Sequence, residues 1–177
     1  LRKHASDQGF RILECDTLME SGIPVRSTRI RKTIMEGDLD SARLMLGHAY
    51  HFQGRIIEGD RRGQAIGYPT ANLAVHPRKL LPREGVYAVD AELLPNNKKH
   101  NGLTKLIGML NIGDRPTFDE SGHAVEVHLF NFNGNIYGRD IMVTPISRIR
   151  DEKKFPGLEA LIDQLKHDEQ LCRGILT

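Results

Sequence analysis

The sharpest chemical pattern in the chain is a glycine-containing segment that begins at Gly59 and ends at Asn72. Gly59, Gly63 and Gly67 are spaced by four residues, and glycines let backbone N–H groups approach an anion closely. Thr70 and Asn72 carry neutral oxygens, which Mg²⁺ accepts beside phosphate oxygens, and in an extended segment these two side chains share a face. The segment lacks the Gly-Lys-Ser/Thr of a Walker A loop. The pattern indicates either a phosphate and metal site or an ordinary solvated loop with a tight turn.

A single carboxylate, Glu126, is the candidate for acid–base chemistry. Val125, Val127 and Leu129 alternate with Glu126 and His128, which is the period of a half-buried strand. A strand is a rigid mount, so Glu126 could serve as a fixed general base near the phosphate site. The alternative is a solvent-facing carboxylate on a half-exposed strand.

Two further segments could contact a ligand. The charge run Arg150–Phe155 ends in a lone aromatic residue, which could close over a flat ligand, with Arg150 pairing or stacking against it. Solvated surface is the alternative there. The segment Asn111–Phe118 has the composition of a strand end followed by a turn, and an ordinary Gly/Pro turn would account for it.

The elements that must position these residues change in character near residue 50. Before it the pattern is helical: Ser27 is the predicted N-cap of a helix that stops at Gly37. Asp38 is the predicted cap of a second helix, which ends at Gly47. Earlier in the chain, Phe10–Cys15 could be a strand.

After residue 50 the pattern is of strands and turns. Asn133-Gly134 is the strongest hairpin signal, and it predicts that the strands before and after it pair. Pro145 suggests an edge or a bulge. The predicted strands are Phe52–Glu58, Gly85–Leu94, Leu106–Ile112, Val125–Leu129 and Asp140–Ile149.

The C-terminal segment is helical again. Leu158, Leu161, Ile162 and Leu165 form one apolar stripe at helical spacing. Short strands with turn signals indicate a small antiparallel barrel or sandwich, and the terminal helix is expected to cover one side or one opening of it.

Composition excludes several classes of protein. The 177 residues carry 25 Lys and Arg against 23 Asp and Glu, a net charge of +2, which predicts no strong field for nucleic acid. The apolar runs are far shorter than a membrane span requires. The cysteines Cys15 and Cys172 match no zinc spacing and are expected to be reduced thiols of a cytoplasmic protein. The first residue is Leu1, which suggests a fragment or a trimmed chain.

Taken together, the motifs resemble the riboflavin kinase module of bacterial bifunctional riboflavin kinase/FAD synthetases. Gly67–Asn72 resembles the family's G-[FY]-P-T-A-N signature, and Asn111–Phe118 resembles its N-I-G-x-x-P-T-F turn. Val125–Leu129 resembles its V-E-x-H-L strand. Tyr137-Gly138 and Arg150–Phe155 follow in the expected order.

The resemblance implies two modules. Residues 1–50 look like a mostly helical C-terminal remnant of the nucleotidyltransferase module with a linker, and residues 51–177 look like the kinase barrel. The family fold is a mainly β, six-stranded antiparallel Greek-key barrel with a C-terminal α-helix, here preceded by a short helical segment. The sequence departs from the family at Arg26, at His48-Ala49 and at Asn131, where Ser, Arg-Pro and Asp are usual.

The resemblance also implies an activity and its substrates. The chain is expected to transfer the ATP γ-phosphate to riboflavin, giving FMN and ADP, with Mg²⁺ and with no nucleic-acid or membrane partner. The parent protein is expected to make FAD from FMN as well. The H-x-G-H motif of the adenylyltransferase is absent from the 177 residues, so this chain alone is not expected to do so. The alternative is a flavin- or nucleotide-binding barrel without turnover.

Each candidate residue then has an implied role. Glu126 is the base that takes the proton from the riboflavin 5′-hydroxyl, and Thr70 and Asn72 hold Mg²⁺. The ATP-binding residues are Gly59, Arg62, Gly63, Gly67, Thr70 and Asn72, and the flavin-side residues are Arg150, Lys153 and Phe155.

Overall fold

A computed structural model describes residues 5, 7–13, 15–59, 62–95, 104–114 and 123–177. At Arg62, Asp114 and His123 it describes the backbone but not the side chain. The described chain is mainly β, with a closed six-stranded antiparallel barrel and three helices, the last at the C-terminal end. This architecture confirms the predicted fold class. No helix within these ranges is long and apolar enough to cross a membrane.

The elements follow the chain in this order. A two-strand hairpin and two helices come first: β1 Met19–Glu20, β2 Ile23–Pro24, α1 Ser27–Glu36 and α2 Leu39–Leu46. The barrel and last helix are β3 Phe52–Ile57, the 3-10 helix Arg62–Ile66, β4 Ala71–Val75, β5 Gly85–Leu93, β6 Thr104–Asp114, β7 His123–Leu129, β8 Asp140–Arg150 and α3 Leu158–Leu176.

The barrel closes because β8 pairs with both β3 and β5. The strand order is β3-β4-β7-β6-β5-β8. Alternate residues of each strand point inward, as the period of two requires, and the interior is filled by apolar side chains such as Phe52, Tyr87 and Leu110. Because side chains occupy the interior of so small a barrel, its chemistry has to be carried by the outer face and the loops.

The predicted hairpin at Asn133-Gly134 is wrong. β7 pairs with β4 and β6, whereas β8 pairs with β3 and β5, so the two strands are not neighbours. The connection instead crosses toward β3, where the Gly138 N–H donates to the Ile56 carbonyl at 2.9 Å. Ile136 is buried in the barrel core. Burial of that side chain and pairing with β3 outweigh the local turn preference of Asn-Gly.

Other local predictions had mixed outcomes. Phe10–Cys15 is not a strand in its described residues, and Phe10 is 57% exposed, so it contributes little buried apolar surface. Ser27 opens α1, but the N-cap position belongs to Arg26, which makes no side-chain capping bond. Asp38 does cap α2, accepting from the Ser41 N–H at 3.0 Å. For Pro145 an edge or a bulge was predicted; it lies beside a register shift between β5 and β8, which agrees with a bulge.

The helix α3 lies against the outside of β5, β6 and β8. Of its predicted apolar stripe, Leu165 packs on a second hydrophobic cluster, which Ala88, Met109 and Phe130 form with Cys172 of α3 itself, whereas Leu158 is 58% exposed. The barrel wall at β5 and β6 is therefore covered on both faces. This arrangement leaves the outer faces of β4 and β7 beside the edge of the helix.

Candidate functional site

Three polar side chains form a row across the outer face of the barrel. Asn72 of β4 lies opposite Glu126 of β7, and Glu126 lies opposite Asn111 of β6. Directly paired residues point to the same side of a sheet, with Cβ atoms about 4.5–5.5 Å apart. Val125 and Val127 are buried in the barrel core, so Glu126 points outward. The backbone register thus brings the candidate base beside one candidate Mg²⁺ ligand.

Thr70 lies next to this row. It immediately precedes β4, two residues before Asn72 on the same face. The segment is held to β7 by His128, whose Nδ1 lies 2.7 Å from the carbonyl oxygen of Pro69. The Tyr68 and His128 rings also pack together, with centroids 5.2 Å apart. Thr70 and Asn72 are therefore mounted on the strand that adjoins Glu126.

The glycines of the predicted ATP segment have different roles in the fold. A Cβ at Gly59 would overlap the buried side-chain amide of Asn72, and one at Gly63 would overlap the Tyr68 carbonyl. Gly67 has φ +83°, in the left-handed region that favours glycine. The backbone at Gly59 therefore lies directly against a candidate metal ligand. Arg62 begins the 3-10 helix; its side chain lies outside the described residues.

A cavity of about 470 Å³ opens between α3 and the outer face of the barrel. It brings together six of the predicted site residues, namely Gly63, Thr70, Glu126, Arg150, Lys153 and Phe155. Gly59, Gly67 and Asn72 do not line it. Sequence reasoning did not assign the other lining residues: Ile66, Tyr68, Val86, Met109, Leu110, Asn111, Glu152, His128, Leu158, Leu161, Leu165 and Asp168. Mostly apolar walls with a few convergent polar groups are typical of a small-molecule site.

At the helix side of the cavity, Arg150 is held by several partners. It is the last residue of β8 and follows a register shift opposite Val86 and Tyr87. Bulges beside a site redirect side chains. Its guanidinium forms a salt bridge with Asp168 of α3 at 2.7 Å and lies over the Phe155 ring, 5.9 Å from the centroid.

Glu152 is a cavity residue that the sequence analysis left unassigned. Its Oε1 accepts a hydrogen bond from Asn111 Nδ2 at 3.1 Å. The same carboxylate lies over Gly113, where a Cβ would overlap it. The Gly of the Asn-Ile-Gly motif thus makes room for Glu152. The signal was present in the sequence, because both residues fall inside motifs already noted, but only the fold brings them together.

Tyr68 connects the glycine-containing segment Gly59–Asn72 to α3. Burial raises the pKa of its hydroxyl, and a hydrogen bond and the charge of Glu169 raise it further. Glu169 also accepts from Arg173, whose guanidinium lies over the Phe130 ring, 4.4 Å from the centroid. The Tyr68 hydroxyl is therefore a neutral group that anchors the segment before Thr70 to the helix.

The donor set near Glu126 suits a hard divalent cation that carries its own phosphate ligands. Thr70 and Asn72 offer neutral oxygens, and the amide of Asn72 is buried against Gly59. In the part of the chain that the structure describes, no three His, Cys, Asp or Glu residues form a metal-binding group. Mg²⁺ usually keeps waters and takes substrate phosphates with only one or two protein ligands. These residues fit such an ion.

The sequence model of one protein family, described as riboflavin kinase (flavokinase), matches residues 46–176. The chain belongs to the riboflavin kinase family. Among its relatives, the bifunctional riboflavin kinase/FMN adenylyltransferase of Listeria monocytogenes is 40% identical over 178 residues, covering 100% of this chain and 54% of that protein. The chain spans about half the length of the curated relatives it matches.

Solved structures share this fold. A protein described as a macrolide-efflux protein from Streptococcus pneumoniae has a TM-score of 0.77 and 38% identity, covering 89% of this chain and 49% of that one. A riboflavin kinase from Trypanosoma brucei has a TM-score of 0.50 and 23% identity, covering 71% of this chain and 78% of that one. The second likeness concerns the fold alone and agrees with a riboflavin kinase barrel.

Proposed function

We propose that this chain transfers the γ-phosphoryl group of ATP to the 5′-hydroxyl of riboflavin, giving FMN and ADP. The observation that carries the proposal is the row of Asn72, Glu126 and Asn111, of which Glu126 and Asn111 line an apolar cavity, in a member of the riboflavin kinase family. The cavity suits a flat, mostly apolar ring system. The row suits the polar, reacting end of the same molecule.

Glu126 acts as the general base. A primary hydroxyl is a poor nucleophile, and a carboxylate within reach removes its proton as the oxygen–phosphorus bond forms. The bond from the γ-phosphorus to the bridging oxygen breaks, and ADP leaves with that electron pair. A positioned base contributes about 10²–10⁴ in rate, and alignment of hydroxyl and phosphate contributes roughly 7–11 kcal/mol.

Thr70 and Asn72 hold Mg²⁺ in this proposal, and the ion when bound neutralises charge on the ATP phosphates. Gly59, Arg62, Gly63 and Gly67 contact the ATP phosphates through the segment that precedes Thr70. Arg150, Lys153 and Phe155 lie on the flavin side of the cavity.

Incubation of the chain with riboflavin, ATP and Mg²⁺, followed by chromatographic separation of flavins, tests the proposal. We expect FMN, and no FAD, because the H-x-G-H motif is absent from these 177 residues. Riboflavin binding without FMN formation would contradict the transfer reaction and support a binding barrel without turnover. Formation of FAD would contradict the expectation for residues 1–50.

A further inference from the structure

Asp168 is a buried charged residue that the proposed mechanism does not use. Its side chain is 1% exposed, on the face of α3 that meets the barrel. Nε of Arg150 donates to both of its carboxylate oxygens at 3.1 and 2.9 Å, and Nη2 donates at 2.7 Å. Gln164 Nε2 donates to the same carboxylate at 2.8 Å. Four hydrogen bonds thus fix one carboxylate at the wall of the cavity.

The partner Arg150 is also confined. Its side chain is 16% exposed, and its Nη1 donates to the Asp151 carbonyl at 2.9 Å. Its guanidinium lies over the ring of Phe155. Residues 151–157 form neither helix nor strand, so the position of Phe155 depends on side-chain contacts of this kind.

The pairing also determines which ligand this wall can accept. A guanidinium whose donors point into a carboxylate keeps a flat face for stacking but has little free charge for an anion. Arg150, Phe155 and Asp168 all line the cavity. The wall is therefore suited to an uncharged, flat ring, not to a phosphate.

We propose that Asp168 is a positioning residue: it holds the Arg150 guanidinium, and through it Phe155, as the wall against which the flavin ring packs. This inference rests on the proposed function. It adds a residue from the terminal helix to the determinants of riboflavin affinity, acting through Arg150.

Asp168→Asn is the first test, because it preserves volume while removing the charge that fixes Arg150. We expect KM for riboflavin to rise about 10-fold, the factor that loss of one charge-assisted hydrogen bond carries. The effect should fall on riboflavin KM more than on kcat or on KM for ATP. The matched control is Asp163→Asn, an exposed carboxylate of the same helix paired with Lys166 at 3.6 Å, which should leave all three parameters unchanged.

A double-mutant cycle distinguishes positioning from general loosening. Arg150→Lys keeps the positive charge but loses the planar fork, and it should raise riboflavin KM by a similar factor. If Asp168 acts through Arg150, the KM for riboflavin of the double variant will be no higher than that of the more impaired single variant. Additive effects, or an equal rise of both substrates' KM values, would overturn the proposal. If Asp168→Asn does not fold, an unchanged riboflavin KM in Arg150→Lys would overturn it.

A measurement of riboflavin affinity in the absence of ATP separates this inference from the proposed reaction. The quenching of flavin fluorescence on binding gives the Kd. If the wild-type chain binds riboflavin without making FMN, the reaction is wrong, and a roughly 10-fold higher Kd in Asp168→Asn still supports the positioning role. If the wild-type chain makes FMN and the variant's Kd is unchanged, the positioning role alone is wrong. If the wild-type chain does not bind riboflavin, both are wrong.

Discussion

The two sides of the cavity are held in place by different means. On the barrel side, Asn72, Glu126 and Asn111 are fixed by the backbone hydrogen bonds of three neighbouring strands. On the helix side, Arg150 and Phe155 are fixed by side chains that connect β8, an irregular segment and α3. A strand ladder cannot shift by one residue without turning its side chains to the opposite face, whereas a side-chain network can readjust in small steps.

Under the proposed function, this difference suits the two sides to different tasks. Proton transfer and phosphate positioning tolerate little displacement, and their candidates are on the ladder. Binding of a flat ring by apolar and stacking contacts tolerates more. Changes on the barrel side should therefore lower kcat or alter the use of Mg²⁺ and ATP, and changes on the helix side should alter riboflavin affinity.

The largest expected effect is that of Glu126→Gln. The amide keeps the shape but cannot accept the proton, so kcat should fall by about 10²–10⁴ while riboflavin still binds. Steady-state kinetics and flavin fluorescence measure the two quantities. Glu92→Gln is a control, because Glu92 is a carboxylate on β5 that does not line the cavity. An unchanged kcat in the first variant would exclude Glu126 as the base.

Thr70→Ala tests the proposed Mg²⁺-ligand role of Thr70, which lies beside the row. Removal of one neutral oxygen should raise the Mg²⁺ concentration for half-maximal rate by at least about 10-fold. Titration of Mg²⁺ at saturating riboflavin measures this. Thr104→Ala, at an exposed residue on β6, should leave the titration unchanged. Identical Mg²⁺ curves for Thr70→Ala and the wild type would rule out the ligand role.

Gly59→Ala tests whether the close approach to Asn72 matters. The added Cβ would overlap the Asn72 amide, so the Asn72 side chain must move. We expect kcat/KM for ATP to fall several-fold, which corresponds to an overpacking cost of about 1 kcal/mol. Gly174→Ala is the matched control: a Cβ there meets nothing within 4 Å, and it should stabilise α3 by about 0.5–1 kcal/mol. Equal kinetics in both variants would contradict a role for the contact.

The smallest effect concerns the two thiols. Burial raises the pKa of Cys172 to about 12, with Asp168 and Glu169 adding to the shift, while Cys15 is exposed. At pH 8 a thiol reagent should therefore modify Cys15 quickly and Cys172 only after unfolding. Rapid modification of both in the native chain would mean that α3 opens readily, and the helix side would then be far looser than the ladder.

The barrel-side candidates could be predicted because they lie in short motifs with strand periodicity. The apolar residues Val125 and Val127 indicate which face of β7 points into the barrel, and the outward position of Glu126 follows from that alternation. Register could not be predicted in the same way. Nothing local in the sequence states that Glu126 lies between Asn72 and Asn111, because strand pairing depends on contacts distant in sequence.

The helix-side residue Asp168 was missed, although a signal existed. It lies three residues after Leu165 and four before Cys172, so it continues the apolar stripe of α3. A charge within such a stripe indicates a buried group with a partner. The partner, Arg150, could be identified only from the fold.

The hairpin predicted at Asn133-Gly134 is wrong for the opposite reason. There a strong local turn preference is outweighed by pairing between strands that are distant in sequence.

The strand order has a kinetic consequence. The row of Asn72, Glu126 and Asn111 requires β4 to pair with β7, which lies far along the chain, and closure requires β8 to reach β3. Such long-range pairings form late during folding, whereas local helices form in microseconds. On dilution from denaturant, helical circular dichroism should return before phosphotransfer. The recovery of enzymatic activity would then serve as a clock for the last step of barrel assembly.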